Sequence, residues 1–535
     1  MKRILLTSIM VFTLFFMQNL SFGQAPTLGT ASNFVLFSSV GAVTNTGITH
    51  LTGNVGTNSG SSTGFGNVDG VMHDGDGTSA QAGADLLIAY NLLKSAIPNY
   101  FPAPLLGNGQ ILIPGTYSIP SVATLNLDLT LDAKGDSNAV FIFQIEAAFA
   151  TNANAEVKLI NGAQACNVFW KIEGLVSMAS GTIMKGTVIA NNAAITMNTG
   201  VSLEGRALST SGSITVDGIS SFTPIGCGSP VLNGPTAPAL NSTQCYAIFS
   251  SNGSVTNAGV SSVTGDIGTN VGLTTGFDAL NVKGEIHPKP DTSTGQAAAD
   301  LTGVYNYLNV LPYDIELLYP AEFGNNLVLT PHTYLLNSAT VFTGTVYLNA
   351  QGNADAVFVI QINGALSTST YAKVILMNGA QAKNVYWKVD GATIINDYSE
   401  FKGTIVSNNG AVDLLSGVAL EGRAFTTAGG MSTAAVSVIM PFGCPTMGTQ
   451  SFNEVQKVNI YPNPFHSFLN IAISDTFELS NTQIIMYDAF GKQVKKAAVT
   501  EKTTTLETSN LTSGFYFYKV ISNGKTIQTG KLLAK

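Results

Sequence analysis

The chain has 535 residues, too many for one ordinary core, and only 10% are charged against about 25% in a typical soluble domain. Its 55 glycines and 45% hydrophobic content describe turn-dense β structure with a neutral polar skin and exclude a disordered chain. The formal net charge of −8, with no basic patch to neutralise phosphates, excludes nucleic acid as a partner.

Residues 1–24 read as a secretory signal: Lys2 and Arg3 precede a mostly apolar run over 4–17, and small residues follow at 21–23. That run is short for a membrane span, and no later stretch reaches about 18 continuous apolar residues, so the mature chain is expected to be exported and soluble. A first domain is expected at 25–227. It opens with short strands punctuated by Gly and Asn over 33–58. Residues 78–97 (TSAQAGADLLIAYNLLKSAI) break the β pattern: Ala, Leu and Ile recur at three and four, Thr78 or Ser79 is placed to cap the start, and Pro98 stops the helix. The run AVFIFQI at 139–145 is apolar enough for a buried strand.

The block 157–215 carries the strongest periodicity. Val176-Ser177-Met178, Ile195-Thr196-Met197 and Ile214-Thr215-Val216 are triplets 19 residues apart, each with a hydroxyl between two apolar residues. Period two marks a strand with one buried face, and recurrence near 20 residues marks a solenoid whose coils stack. Ser177, Thr196 and Thr215 are therefore expected to form an outward ladder, with Asn198 beside Thr196 on the same face.

After a Pro/Gly-rich linker at 228–240, landmarks of the first domain return 217 positions later. NGAQACNVFWKIEG at 161–174 becomes NGAQAKNVYWKVDG at 378–391, and LEGRALST at 203–210 becomes LEGRAFTT at 420–427. A second domain at 241–444 thus repeats the plan, with its helix at 293–311. The positions matching Ser177, Thr196, Thr215 and Asn198 are Ile394, Asp413, Ser432 and Leu415, which make no regular hydroxyl grid. Beyond a spacer at 445–454, residues 455–535 are richer in Lys and alternate strands with turns, enough for a small β-sandwich. Export permits disulfides. Four cysteines allow three pairings, of which the simplest gives one bridge per domain, Cys166–Cys227 and Cys245–Cys444.

Catalytic readings are poor. Glu204 and Arg206, repeated as Glu421 and Arg423, read as a salt bridge clipping adjacent coils rather than a lyase site. HDGDG at 73–77 lacks the further acidic ligands of a calcium loop, and its counterpart at 287–290 is HPKP, so it reads as a surface turn. The five His show no zinc spacing. Trp170 and Trp387 sit in repeated buried strands and read as core. No enzyme, cofactor or metal is expected.

Both halves resemble the microbial ice-binding protein family. The resemblance is carried by SNFVLFSSVGAVTNTGITHLTGNVGTN at 32–58, the AVFIFQI strand, NGAQACNVFW, KGTVIANNAAITMNTG at 185–200, and LEGRAL, in that order. It implies a mainly β chain with two discontinuous right-handed β-solenoids, each with one long helix alongside, and adsorption to an ice crystal surface through a flat Thr/Ser-rich face. Thr46-Gly47-Ile48-Thr49 matches the Thr-Gly/Ala-x-Thr motif of such faces, with Thr44 and Thr52 as neighbours that would join it. The end of the chain resembles the C-terminal sorting domain of the type IX secretion system, through YPNPF at 461–465, YDAFGKQV at 487–494, LTSGFYFYKV at 511–520 and GKLLAK at 530–535. That resemblance implies the secretion machinery as a partner, with passage through the outer membrane followed by cleavage and then by release or attachment at the cell surface. A cell-surface adhesin or matrix protein that binds carbohydrate or acts as a spacer is the second class of function, motivated by the degenerate second copy and by the surface attachment that the tail allows.

Overall fold

Short strands with glycine corners wind this chain into two stacked-coil solenoids followed by a small antiparallel domain. The computed structural model describes residues 25–227, 229, 231–441, 458–473, 481–523 and 525–535. The signal read at 1–24, Cys444 and the spacer at 445–454 lie outside these residues. Contacts divide the chain into two units, Met1–Cys444 with both solenoids and Pro445–Lys535 with the tail.

In the first solenoid the strands pair in parallel, an eight-stranded sheet forming one side and a 13-stranded sheet wrapping the rest. Ile183–Ala190 bridges two parts of the larger sheet: its first residue pairs with Glu156 and its last four with Phe169, Trp170, Lys171 and Ile172. The bend between them needs glycine. Gly186 has a φ of +103°, and a Cβ on Gly205 would collide with the Gly186 carbonyl, so adjacent coils close up only without side chains there.

Spatial order is not chain order. Phe34–Ser38 and Asn54–Thr57, first in sequence, sit beside Ser202–Ser209, among the last. The helix Gly77–Ser95 then carries the chain to the far end, and later coils climb back. Nineteen residues of helix span ~28 Å, about the height of six coils spaced ~4.8 Å apart. That crossing makes the solenoid discontinuous. The second solenoid repeats it with Thr292–Val310, an eight-stranded sheet and a 14-stranded sheet.

Each helix buries a stripe on the larger sheet; in the first, Ala82, Leu86, Ala89, Tyr90 and Leu93 meet Phe34, Phe37, Ile142, Phe169 and Leu208. The cap differs from expectation. Neither Thr78 nor Ser79 is the N-cap; Asp76 is, its carboxylate accepting from Ser79 N while the Asp76 N–H donates to the Ser79 hydroxyl. Asp291 and Thr294 repeat the device. At the other end Gln144 Nε2 donates to Leu93 O (2.8 Å) and Ala96 O (2.7 Å), and Gln361 does the same for Leu308 and Leu311. Gln144→Leu should orphan those carbonyls, cost ~1–3 kcal/mol and lower Tm in a calorimetric melt. An unchanged Tm would show that Gln144 does not anchor the helix.

Inside, Tyr100, Tyr117, Phe143 and Trp170 stack with centroids 4.9, 5.2 and 3.9 Å apart. Trp170 and Trp387 are fully buried, and their indole N–H groups donate to Lys185 O and Lys402 O. A Cys166–Cys227 disulfide is formed; Cys245 is also disulfide-bonded. Residues 231–240 are no free tether. Asn353 Nδ2 donates to Leu232 O and Asn233 Oδ1, Val357 N to Asn233 O, and the Tyr307 hydroxyl to Thr236 O. The solenoids also meet directly, with His50–Thr52 running against Leu327–Leu329. In the tail, three antiparallel strands (Val458–Tyr461, Phe468–Ile473, Thr503–Glu507) and four more (Gln493–Ala498, Thr482–Tyr487, Gly514–Ser522, Lys525–Ala534) enclose one core of Leu469, Ile471, Ile484, Met486, Val520 and Leu532.

Candidate functional site

The eight-stranded sheet of the first solenoid presents one continuous row. In spatial order its strands are Ser62–Thr63, Val43–Thr46, Ile214–Asp217, Ile195–Met197, Val176–Met178, Phe149–Thr151, Ala123–Asn126 and Leu105–Gly107. Their register aligns Thr63, Thr44, Thr215, Thr196, Ser177, Ala150, Thr124 and Leu105. Inward neighbours Val43, Ile214, Ile195, Val176, Phe149 and Ala123 are buried, which turns the row to solvent. A second row two residues back is set by backbone hydrogen bonds through Ser61, Ala42, Ser213, Ala194 and Leu175. Neither row holds a charge. The opposite case is on the larger sheet, where Lys158 pairs with Asp128 (2.5 Å) and Lys185 with Glu204 (2.8 Å), and the Asp128 carboxylate holds the Lys158 ammonium above the usual lysine range.

Ser177, Thr196, Thr215 and Thr44 lie together in the row, and Thr44 Oγ1 is 3.4 Å from Thr215 Oγ1. The other expected residues are used differently. Thr46 is exposed at the end of its strand and donates to Asp217 Oδ1 (3.1 Å), so a carboxylate interrupts its row. Asn198 is half-buried, and its amide donates to Met178 O, tying one coil to the next. Thr49 sits at the corner, donating to Asn45 Oδ1 (2.5 Å) and accepting from Ile219 N (3.2 Å). Ser261 does both in the second solenoid, to Asn257 and from Val436. Thr49→Val should therefore lower stability by ~1–3 kcal/mol and leave surface chemistry unchanged until the corner melts. A variant with wild-type Tm and altered adsorption would refute this corner role. Thr52 cannot join the row: it pairs with Phe222 in the larger sheet, on another side of the coil.

Register adds Thr63 and Thr124, which periodicity missed. Ser62 breaks the apolar–hydroxyl–apolar triplet before Thr63, and longer corners place Thr124, Ala150 and Ser177 26 and 27 residues apart instead of 19.

The corresponding row of the second solenoid reads Thr275, Thr256, Ser432, Asp413, Ile394, Ser367 and Val341. The Ser432 hydroxyl is turned onto Asp413 Oδ1. At the adjoining corner Tyr371 and Tyr398 stack 5.3 Å apart, both exposed and both with positive φ, where the first solenoid has Asn154 and Gly181. A charge, an Ile and an aromatic ridge replace the flat grid.

Glu204 does not pair with Arg206. Its partner is Lys185 one coil away, while Arg206 is buried on the helix side of the sheet, where its Nε donates to Ser32 O; Glu421 pairs with Lys402. In the 73–77 turn, Asp74 accepts from Thr57 N, Ser62 N and the Ser62 hydroxyl, and Asp76 caps the helix. Those carboxylates hold the fold. No cluster of three or more metal-ligating side chains occurs among the described residues.

The ice-binding-like family profile matches residues 37–221 and 249–439, one match per solenoid, and the secretion system C-terminal sorting domain profile matches 459–535. The crystal structure of an ice binding protein from an Antarctic bacterium, Flavobacteriaceae, superposes with a TM-score of 0.78 at 63% identity, over 79% of this chain and 100% of that one. An ice-binding protein of Nostoc sp. (strain HG1) is 42% identical over 194 residues, 36% of this chain and 71% of its own length. One from Colwellia sp. is 29% identical over 210 residues, 37% of this chain and 81% of its own. With both solenoids matched end to end, the chain belongs to the ice-binding-like family, carried here in two tandem copies ahead of a secretion-system sorting domain.

Proposed function

We propose that this protein is exported and adsorbs to ice through the row from Thr63 to Thr124, causing thermal hysteresis and inhibiting ice recrystallisation. The observation that carries the reading is the uncharged, register-locked ladder of hydroxyls on the first solenoid. Coils repeat every 4.7–4.9 Å, and alternate residues along a strand lie about 6.6–6.8 Å apart. Threonine hydroxyls on such a grid hold first-shell water, and methyls leave gaps that cannot compete for it. Stiff χ1 angles keep the grid in place at little entropic cost. Lysine or glutamate would order water in another pattern.

Adsorption to a lattice needs no bond chemistry, and the role is binding, not catalysis. The second solenoid serves as a weaker binder or a spacer, because Asp413 and Ile394 occupy the centre of its row. The tail addresses the chain to the secretion machinery; retention at the cell surface would hold the ladder where ice approaches the cell. The test is partition of the full chain into a slowly growing ice hemisphere, beside a non-binding protein of similar size. Enrichment in the ice is expected. Exclusion, combined with binding on a glycan array, would hand the protein to the adhesin class.

A further inference from the structure

The two solenoids meet end to end, and the internal repeat sets the docked ends beside their free counterparts. At the docked ends the first solenoid contributes Asp69, which bridges to Thr52 in its outermost coil, and the second contributes Thr330 and Tyr334. The matching coil of the second solenoid faces no solenoid. There Lys283 pairs with Thr264 as Asp69 does with Thr52, and FGNVDG at 65–70 has become FDALNVKG at 277–284. In the first solenoid the counterpart of LTPHTY at 329–334 is LIPGTY at 112–117, so Ile113 stands in place of Thr330 while Tyr117 keeps the place of Tyr334. Tyr117 Oη donates to Ile113 O (2.5 Å) as Tyr334 Oη does to Thr330 O (2.6 Å). Both free ends are otherwise open to stacking. Leu105–Gly107 and Gln110–Leu112 end their sheets, and Phe101, Leu105 and Ile111 beside them are exposed; at the other free end Leu280 is 93% exposed. Asn281 keeps the place of Asn67, so the bonds that Asn67 makes to the Tyr319 backbone do not tell docked from free. The exchange of a carboxyl for an ammonium, and of a threonine hydroxyl for isoleucine carbon, does.

We propose that Lys283 and Ile113 keep the two free ends from docking on one another in neighbouring copies, so that stacking stops at the two solenoids of one chain. The partner that each free end would otherwise fit is a second copy of this chain, stacked in the same sense as the internal junction. Stacking in one sense does not close on itself, and without a bar it runs on into a fibre. Lys283 supplies the bar. It is exposed, and among the described residues no carboxylate pairs with it. Docked as Asp69 is, its ammonium would lose water and find no counter-charge, which is costly for a buried cation. Asp69 accepts from Thr330 N and Thr330 Oγ1, whereas an ammonium only donates, so Ile113 N would face a donor and the Ile113 side chain offers nothing polar in return. Lysine at the edge of a sheet is a general guard against unwanted pairing. The proposal is independent of ice adsorption, because neither Lys283 nor Ile113 belongs to the row from Thr63 to Thr124.

The experiment is sedimentation velocity of the exported protein over a wide range of concentration. The wild type should keep the mass of one chain throughout. Lys283→Asp with Ile113→Thr rebuilds the docked pair at the free ends, and its mass should climb with concentration past that of two chains. Adding Tyr117→Phe removes a donor to the new carboxyl and should weaken that association roughly tenfold or more, which places the contact at this end. Lys283→Arg keeps the charge and should stay a single chain. Circular dichroism matching the wild type shows that each of these surface variants is folded. Asp69→Lys sets the same guard at the docked end and should enlarge the radius of gyration in small-angle scattering. A wild type that grows with concentration overturns the proposal, as does a folded Lys283→Asp, Ile113→Thr variant that stays a single chain. Growth that stops at two copies overturns it in favour of a symmetric contact between like ends. An Asp69→Lys protein with the wild-type radius overturns it as well, because lysine would then be compatible with a docked end.

Discussion

Thr196→Tyr is expected to abolish adsorption to ice while leaving the first solenoid folded. Thr196 lies mid-row, between Thr215 and Ser177. Its side chain faces solvent while Ile195 and Met197 on either side are buried, so a phenol there meets no core atom. On the proposed adsorbing face it would meet the ice. A ring standing several ångströms above hydroxyls of fixed height would lift the neighbouring residues off the lattice, and the ordered water between them would no longer match it. If adsorption draws on the whole row at once, as proposed, the loss should be far larger than one residue's share: a drop of roughly tenfold or more in thermal hysteresis at equal concentration, the size that losing one central anchor reaches in other interfaces. Circular dichroism and Tm should match the wild type. The same substitution at Thr124, near the end of the row, should cost less. If Thr196→Tyr partitions into ice unchanged, the adsorbing face is not this one.

Why some of this face was legible in the sequence and some was not follows from what sets each residue's position. Ser177, Thr196 and Thr215 stood out because three successive coils have corners of equal length, and equal corners turn register into arithmetic. Thr44 lies in the same row, but 171 residues from its neighbour Thr215, and no local period reports a pairing made by the helix crossing. Resemblance supplied it instead. The same source pointed to Thr49 and Thr52, and here the motif was less informative than hydrogen bonding. Asn45 needs a donor for its side-chain oxygen at the corner, and Thr49 provides it. Thr52 lies beyond the corner, where the chain has moved to the larger sheet. Helix positions were readable to within two residues at either end, because the apolar stripe and Pro98 are local signals. The cap was not, because Asp76 stood inside a turn whose carboxylates looked alike until their partners were known. Glu204 was placed correctly between coils, but its partner is the lysine 19 residues back, at coil spacing, rather than the arginine two residues on.

Asp69→Ala is expected to uncouple the two solenoids. The Asp69 carboxyl is buried where they meet, with Oδ2 accepting from Thr330 N (3.1 Å) and Thr330 Oγ1 (2.8 Å) and Oδ1 lying 2.5 Å from the Tyr334 hydroxyl oxygen. Alanine would remove the acceptor that these second-solenoid donors share across the junction and leave them only partners within their own solenoid, Tyr334 Oη, His332 Nδ1 and Thr330 O, at a cost of about 1–3 kcal/mol. One cooperative melt should become two, and small-angle scattering should report a larger radius of gyration. The wild-type junction should also depend on pH. Tyr334 Oη lies within hydrogen-bond reach of both Asp69 Oδ1 and Thr330 O (2.6 Å), yet a phenol has one proton to give. A proton on Asp69 resolves this, since the carboxyl then donates to the phenol and the phenol to Thr330 O. Burial likewise pushes the Asp69 carboxyl above its ordinary value, opposed by the nearby His332 and by the hydrogen bonds from Tyr334 and Thr330. The docked state therefore binds the proton more tightly than the separated solenoids do. Its stabilisation is complete below the ordinary carboxyl pKa and declines as pH rises through the raised one. Asp69→Asn keeps an acceptor for Thr330 and supplies a permanent donor to Tyr334, so its junction should hold at high pH where the wild type loosens. Identical pH profiles for wild type and Asp69→Asn would place the proton elsewhere and leave Asp69 an ordinary buried acceptor.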